Sequence, residues 1–490
     1  MQRTRQDELL ASCLELLSWD ELTYMPRAGA AQRGEQMALL SGIYHDRAVD
    51  ARIGELLGEL ENSTLVGDPL APAAVNVREI RRAHQRMSRV PRSLVEELAR
   101  VTTLAQHEWE AARRESDFPR FRPWLQKVIV LKRREADALG YEADPYDALL
   151  EEHEPGARST DLARLFDALR RELVPLVNRL TPPADMSVLR REYPLDRQES
   201  FGKAVAAALG FDFEAGRLDT TVHPFCSAIG PGDCRLATRY DVHDFSDAFF
   251  SILHEVGHGL YEQGLDPDHQ GTPIGEVPSV ALHESQARLW ENTVGRSRPF
   301  WEHFYPRARA HFPGALGDVK LDDFHLAVNH VERSPIRATA DEVTYNLHIL
   351  VRFDLERALI AGNLEVAELP GAWNEANRQY LGITPRSDAE GCLQDGHWGA
   401  GLIGYFPTYT LGNLFAAQLF SRAAVELADL DCSFARGRFD GLLGWLREKI
   451  YRQGHRYPAG RLIEQATGRP PDYRPFIEYL SNKYTALYSI

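Results

Sequence analysis

The sequence is poor in cysteine, with five in 490 residues: Cys13, Cys226, Cys234, Cys392 and Cys432. The number is odd and no two form a C-x-x-C pair, so neither a disulfide framework nor a cysteine zinc site is indicated. A reducing compartment is the corresponding expectation. No apolar run approaches the ~18 residues needed to cross a bilayer. A surplus of positive charge is also missing. With 56 Lys and Arg against 71 Asp and Glu, the formal net charge is −15, which argues against nucleic acid or anionic lipid as partners. Internal repeats and low-complexity segments are absent too. The opening stretch "MQRTRQDELLASCLELLSWDELTYMP" lacks the unbroken apolar centre of a secretion signal, because Asp7, Glu8 and Glu15 interrupt it. Leu9, Cys13, Leu16 and Leu17 recur there at helical spacing, which predicts an amphipathic helix of the mature fold. A cytoplasmic location is expected.

What remains is ordinary globular composition, 44% hydrophobic and 26% charged, arranged with helical periodicity. "SLVEELARVTTLAQHEWEAARRE" and "LARLFDALRRELVPLVNRL" carry apolar residues three and four apart with charges between. Turn signals fall at 67–74, 181–186, 230–233 and 468–475. The clearest strand candidate is "CRLATRY", 234–240, after a Gly-Pro-Gly turn; "HPFCSAI" before it is its expected hairpin partner. The expected fold is mainly helical with a small sheet.

Directly after that sheet comes "LHEVGHGLYEQG", residues 253–264. It sets a glutamate, two histidines and glycines into an apolar helix, although each interior glycine costs ~1 kcal/mol relative to alanine. On a helix His254 and His258 project from one face a turn apart. That spacing suits one tetrahedral zinc, with Glu255 beside it to act on a water. Phe245, Phe249, Ile252, Leu253, Val256 and Leu260 make the rest of this helix apolar, and Asp244 or Ser246 is available as N-cap. Gly257 and Gly259 flank the second histidine, where a side chain would block substrate or a packing backbone.

A third ligand is required. The extended H-E-x-x-H-x-x-G-x-x-H pattern fails, because Tyr261 and Gly264 occupy its glycine and histidine positions. The following "VPSVALHESQARLWENTVG" predicts a helix with Pro278 in its first turn. Its stripe of Val280, Glu284, Ala287, Glu291 and Val294 sets two carboxylates among apolar neighbours, where a dication would compensate them. Glu284 is the first candidate and Glu291 the second. His283 points roughly 100° away from Glu284 and reads as a polar packing residue.

"HEVGH" followed by "HESQARLWE" resembles the zinc site of the M32 metallocarboxypeptidases, the carboxypeptidase Taq family. "HPF" at 223–225, "DCRLATRY" at 233–240, "DEVTYNLHILVRFDLE" at 341–356, "QDGHW" at 394–398 and "GYFPTYTLGN" at 404–413 add to the resemblance in order. "LLSWDELTYMP" and "PFIEYLSNKY" extend it toward both ends. Two departures touch no proposed ligand: Ala237 stands where the family usually has threonine, and Cys234 replaces an aliphatic residue. The resemblance implies one peptidase domain over 1–490, with its zinc-site core at about 220–415 and a long active-site groove. It implies a homodimer that removes residues from free peptide C-termini with broad specificity. It assigns zinc to His254, His258 and Glu284, with cobalt a possible substitute, and the general base to Glu255. His223 and Tyr409 map to residues that steady the reacting carbonyl, with Tyr405 the alternative donor. Arg337 maps to the group holding the substrate carboxylate, with Arg333 and Arg352 as rivals. Asp395 and His397 of "QDGHW" either line the groove or form a structural turn. The competing functions are an endo-acting zinc oligopeptidase and a helical peptide-binding protein without catalysis.

Overall fold

The computed structural model describes residues 2–180 and 184–489. Helices form nearly all of it, and a three-stranded sheet lies just before the histidine-bearing helix. The turn expected at 181–186 therefore falls partly outside the described residues, at 181–183. The two long periodic segments are helices, Arg92–Glu115 and Ser159–Arg179.

The sheet consists of β1 (Gly216–Thr220), β2 (Phe225–Gly230) and β3 (Asp233–Thr238), in the order β1-β3-β2. The expected hairpin is present: β2 runs antiparallel to β3, with an irregularity between Ala228 and Gly230. Its turn uses Gly232 at φ +76°, a conformation glycine adopts without steric cost. Strand β1 was not foreseen. It pairs parallel with β3, and its five residues, GRLDT, have too little alternation to stand out. Its buried Asp219 accepts from Arg217 and Tyr24.

Five helices frame the site: α1 (Gln2–Thr23), α2 (Phe245–Glu262), α3 (Val280–Arg288), α4 (Tyr345–Ala361) and α5 (Pro407–Leu427). Helix α1 forms as expected, but Leu9, Cys13 and Leu16 are exposed. Periodicity defines a stripe without saying which side meets the protein. This helix attaches instead through Trp19, which is 4% exposed, and through a bond from Ser12 to the Ile229 carbonyl of β2. Helix α2 starts at Asp244, whose side chain caps the Ser246 and Asp247 amides. Pro278 is not in the first turn of α3. Ser279 takes the N-cap position and accepts from Leu282 N at 3.1 Å, so the proline precedes the cap. Nor does α3 continue as a regular helix to Val294, because Leu289–Val294 widens into a π-helical turn.

Two glycines set how closely these helices approach. A Cβ on Gly257 would lie 2.5 Å from the Gln286 carbonyl oxygen and 2.6 Å from Ala287 Cα. A Cβ on Gly412 would lie 2.7 Å from Glu284 Cγ. Backbone contact through Gly257 thus fixes α3 against α2, and Gly412 lets α5 close over Glu284. The glycine penalty in "HEVGH" is offset by this contact. Around it runs a continuous apolar core that includes Leu253, Val256, Leu260, Leu282, Leu289 and Trp290.

Candidate metal centre

The facing sides of α2 and α3 carry the polar groups that this core would otherwise exclude. One donor atom each from His254, His258 and Glu284 all lie within 4.8 Å of one another. Glu284 Oε2 is 3.6 Å from His254 Nε2 and 3.7 Å from His258 Nε2. A tetrahedral ion with bonds of ~2.0–2.1 Å places its donors about 3.4 Å apart, so the three atoms fit a single divalent metal with little movement.

The orientation of each histidine is set from behind. His254 Nδ1 donates to Glu291 Oε2 at 2.9 Å, leaving Nε2 as the free lone pair. His258 Nδ1 lies 2.5 Å from His283 Nδ1, and His283 Nε2 donates to Glu262 Oε1 at 2.7 Å. A carboxylate can only accept, so His283 receives the His258 proton and the His258 Nε2 lone pair again faces Glu284. Partners of this kind fix the tautomer and ring position of metal-binding histidines. Glu291 therefore lies behind His254 rather than among the three converging donors. His283 is no ligand either, as its angular position indicates, but it does more than pack.

Charge at this centre is unbalanced. Arg288 Nε donates to Glu284 Oε1 at 2.7 Å, and its Nη1 reaches Glu291 Oε2 at 3.3 Å. Arg296 lies 3.5 Å from the other Glu291 oxygen. Burial opposes charge on His254, yet Glu284 and the Glu291 hydrogen bond push its pKa up to about 9. Burial, then His283 and His254, hold His258 well below its ordinary value. Burial raises Glu291, but Arg288 and His254 outweigh it and bring it down to about 2. Glu255 is 6% exposed and makes no side-chain hydrogen bond among the described residues. Burial pushes it up to about 7, against the pull of His254. A buried carboxyl near 7, with both oxygens free of protein partners, is suited to exchange protons with a water.

A second corner of the site is built on cations. Arg337, in a short 3-10 turn before α4, donates to Asp395 Oδ1 at 2.8 and 3.0 Å and to the Tyr345 hydroxyl at 3.0 Å. Arg352 on α4 is 1% exposed and donates to Asp395 Oδ2 at 2.7 Å and to the His348 carbonyl at 2.7 Å. Both guanidinium groups share one carboxylate, which they hold well below the usual carboxylate range against burial. Arg333 points elsewhere, to Asn178. Of the three arginines, Arg337 combines contact with this corner and remaining access; Arg352 is enclosed behind it.

Tyrosines join the two corners. The Arg288 guanidinium sits 4.3 Å over the Tyr345 ring, whose hydroxyl meets Arg337. The Tyr409 ring lies 5.4 Å from the Arg337 guanidinium and 5.4 Å from the Tyr405 ring. Burial, then Glu284, pushes Tyr405 up to about 12; burial, then Tyr405, also raises Tyr409 well above its ordinary value. Both hydroxyls therefore stay protonated donors at neutral pH. "QDGHW" is pinned from both sides: Asp395 by the arginines and Trp398 Nε1 by Glu356 Oε1 at 2.7 Å. His397 Nε2 is 3.4 Å from the Tyr409 hydroxyl. His223 does not join the cluster. It is exposed on the bend between β1 and β2.

Arg288, Glu262, Tyr345 and Glu356 were missed by sequence reasoning. Arg288 was recoverable, since it lies four residues after Glu284 and three before Glu291, both side-by-side spacings on a helix. The others meet the site only through the tertiary fold.

Residues 1–484 match the family model described as carboxypeptidase Taq (M32) metallopeptidase. Thermostable carboxypeptidase 1 of Thermus thermophilus is 49% identical, the alignment covering 99% of this chain and 97% of that protein. Carboxypeptidase 1 of Bacillus subtilis is 37% identical over 98% of this chain and 96% of its own. Among solved structures, an M32 carboxypeptidase from Deinococcus radiodurans superposes with a TM-score of 0.97 at 40% identity, covering 100% of this chain and 98% of that one.

Proposed function

Because this chain belongs to the carboxypeptidase Taq (M32) metallopeptidase family, we propose that it removes residues from free peptide C-termini with broad specificity, with zinc held by His254, His258 and Glu284. As a member it is a carboxypeptidase, a metallopeptidase hydrolase. The observation that carries the site assignment is the convergence of those three side chains beside Glu255, a buried carboxyl free of protein hydrogen bonds. Nitrogen and oxygen donors in this ratio suit zinc and also accept cobalt.

When bound, the metal would supply Lewis acidity at the scissile carbonyl and a lowered pKa for the attacking water. Glu255 takes a proton from that water as it attacks and delivers it to the departing amine. A hydroxyl donor aimed at the developing oxyanion stabilises it, and Tyr409 is assigned that role, with Tyr405 beside it. His223, exposed on the β1–β2 bend, would reach substrate only from outside the buried cluster. Arg337 binds the substrate carboxylate, since a guanidinium offers paired donors to both its oxygens. Asp395 and Arg352 keep its plane in place. Arg288 holds Glu284 in position and Glu291 and His283 hold the two histidines.

The homodimer implied by the resemblance is part of the same proposal. The first two helices leave Leu9, Leu16, Leu39 and Ile43 exposed, an apolar supply for a subunit contact. Light scattering should report a dimer, and Leu39→Glu should shift it toward monomer.

The direct test of the site is Glu284→Ala, which reduces three ligands to two. Its metal content by mass spectrometry should fall severely, and activity with it; full occupancy would move the assignment to another carboxylate. Peptides with amidated C-termini should be poor substrates of the native enzyme. Rapid internal cleavage of such peptides would replace the exopeptidase reading with an endopeptidase one.

A further inference from the structure

Two of the five thiols meet. Cys226 on β2 lies opposite Leu236 and Cys234 on β3 lies opposite Ala228, which makes the cysteines diagonal neighbours on one face of the sheet. Their sulfurs are 3.7 Å apart. That face packs against α2, where Leu236 lies beneath Gly259 and Glu255 and Glu262 bear on Cys226. Cys234 is buried, whereas Cys226 is half-buried on the edge strand. No other thiol pair is in contact among the described residues.

We propose that Cys226 and Cys234 are a redox-modification site, converted to a disulfide by a peroxide-class oxidant, and that the linked hairpin slows peptide hydrolysis until it is reduced. In the first step the Cys226 thiolate attacks one oxygen of hydrogen peroxide. A sulfur–oxygen bond forms, the oxygen–oxygen bond breaks, and the departing hydroxide takes up the thiol proton as water. The Cys234 sulfur then attacks the sulfenic sulfur of Cys226. The sulfur–sulfur bond forms, the sulfur–oxygen bond breaks, and a second water leaves with the Cys234 proton. Two thiols and one peroxide thus give one disulfide and two waters. The hydrogen bond to Cys234 and burial raise the Cys226 thiol above its ordinary pKa, so the thiolate is scarce at neutral pH and sustained exposure is needed.

The linkage has a structural cost that falls on one strand. Sulfurs now 3.7 Å apart must close to about 2.05 Å. Strand β3 is central, held by β1 on one side and packed under α2. Strand β2 is the edge, already irregular between Ala228 and Gly230, so it is the one that moves. It begins two residues after His223, and its Cys226 faces the proposed proton carrier Glu255 and the Glu262 that steadies His283.

The experiment treats the metal-loaded enzyme with hydrogen peroxide, alkylates the remaining thiols and maps peptides by mass. The expected product joins the Cys226 and Cys234 peptides, lighter by two hydrogens than their sum. Turnover should fall several-fold and return with dithiothreitol. Cys226→Ala with Cys234→Val should keep the basal activity and resist the oxidant. A missing cross-link while the exposed Cys13 and Cys432 are oxidised would overturn the proposal. So would a complete cross-link with unchanged turnover, or an equal loss in the double variant. The activity arm rests on the peptidase reading, whereas the cross-link does not; an untreated enzyme without activity would therefore fail that reading and leave the mass result to judge the thiol pair.

Discussion

The two corners of the site are opposite in their charge balance. Around the histidines, three buried carboxylates (Glu255, Glu284 and Glu291) face two guanidinium groups, Arg288 and Arg296. Around Asp395, two guanidinium groups, Arg337 and Arg352, share a single carboxylate. Neighbouring histidines do not correct the second imbalance, because burial and the arginines hold His348 at about 3 and His397 at about 4. Uncompensated buried charge is costly, so each corner is complete only with an ion from outside. One lacks a cation and the other lacks an anion. A metal and a peptide's terminal carboxylate are the pair of charges that a metallocarboxypeptidase brings together, and Tyr345, Tyr405 and Tyr409 line the path between them.

The largest effect that could break this contrast is expected from Glu255→Gln, which keeps shape and removes the proton carrier. Metal content should be unchanged while kcat falls by at least ~10²–10⁴-fold, the usual weight of a general base; near-normal kcat would remove Glu255 from the mechanism. At the other corner, Arg337→Ala should cost ~2–5 kcal/mol in kcat/KM for free peptides, the penalty of a buried charge losing its partner. Metal content should stay full, and the preference for acid over amide substrates should largely disappear. If free peptides are hydrolysed normally, the anion is read elsewhere. Glu291→Ala sharpens the comparison from the metal side. Metal affinity should drop ~10–100-fold, as when a histidine loses its supporting carboxylate, with stoichiometry still one when metal is in excess; zero binding would make Glu291 a ligand. The smallest change is Arg337→Lys, which keeps the cation and loses the fork. It should cost about 1.5 kcal/mol, the order of one charged hydrogen bond, read as roughly tenfold in kcat/KM.

These two corners were unequally legible in the sequence. His254, His258 and Glu255 follow from spacing on a single helix, and Glu284 from a carboxylate inside an apolar stripe, because local periodicity encodes which residues share a face. The same logic separated His283 from the ligands. Arg337 was reached by resemblance alone, since its partners Asp395, Arg352 and Tyr345 come from distant segments and no local pattern joins them. The hairpin was legible from its Gly-Pro-Gly turn, yet its parallel neighbour β1 was not, being five residues long and mostly polar. Helix α1 shows the limit most plainly. Its periodicity was real, but the stripe of Leu9, Cys13 and Leu16 faces away from the rest of the chain, so a pattern alone does not say what a face will meet.

The π-helical turn at Leu289–Val294 has a consequence for how this chain tolerates length changes. Such a turn holds one residue more than the α-helical turn it replaces, so it has the form of a single-codon insertion retained within a helix. Deleting one residue between Leu289 and Val294 would restore regular winding and rotate everything beyond by about 100° relative to α3. Glu284 and Arg288 would keep their places, while Arg296 and the segment following it would turn away from Glu291. A deletion confined to this turn is therefore expected to leave the metal ligands in frame and misalign the residues that support them, whereas the same deletion inside α3 would displace Glu284 itself.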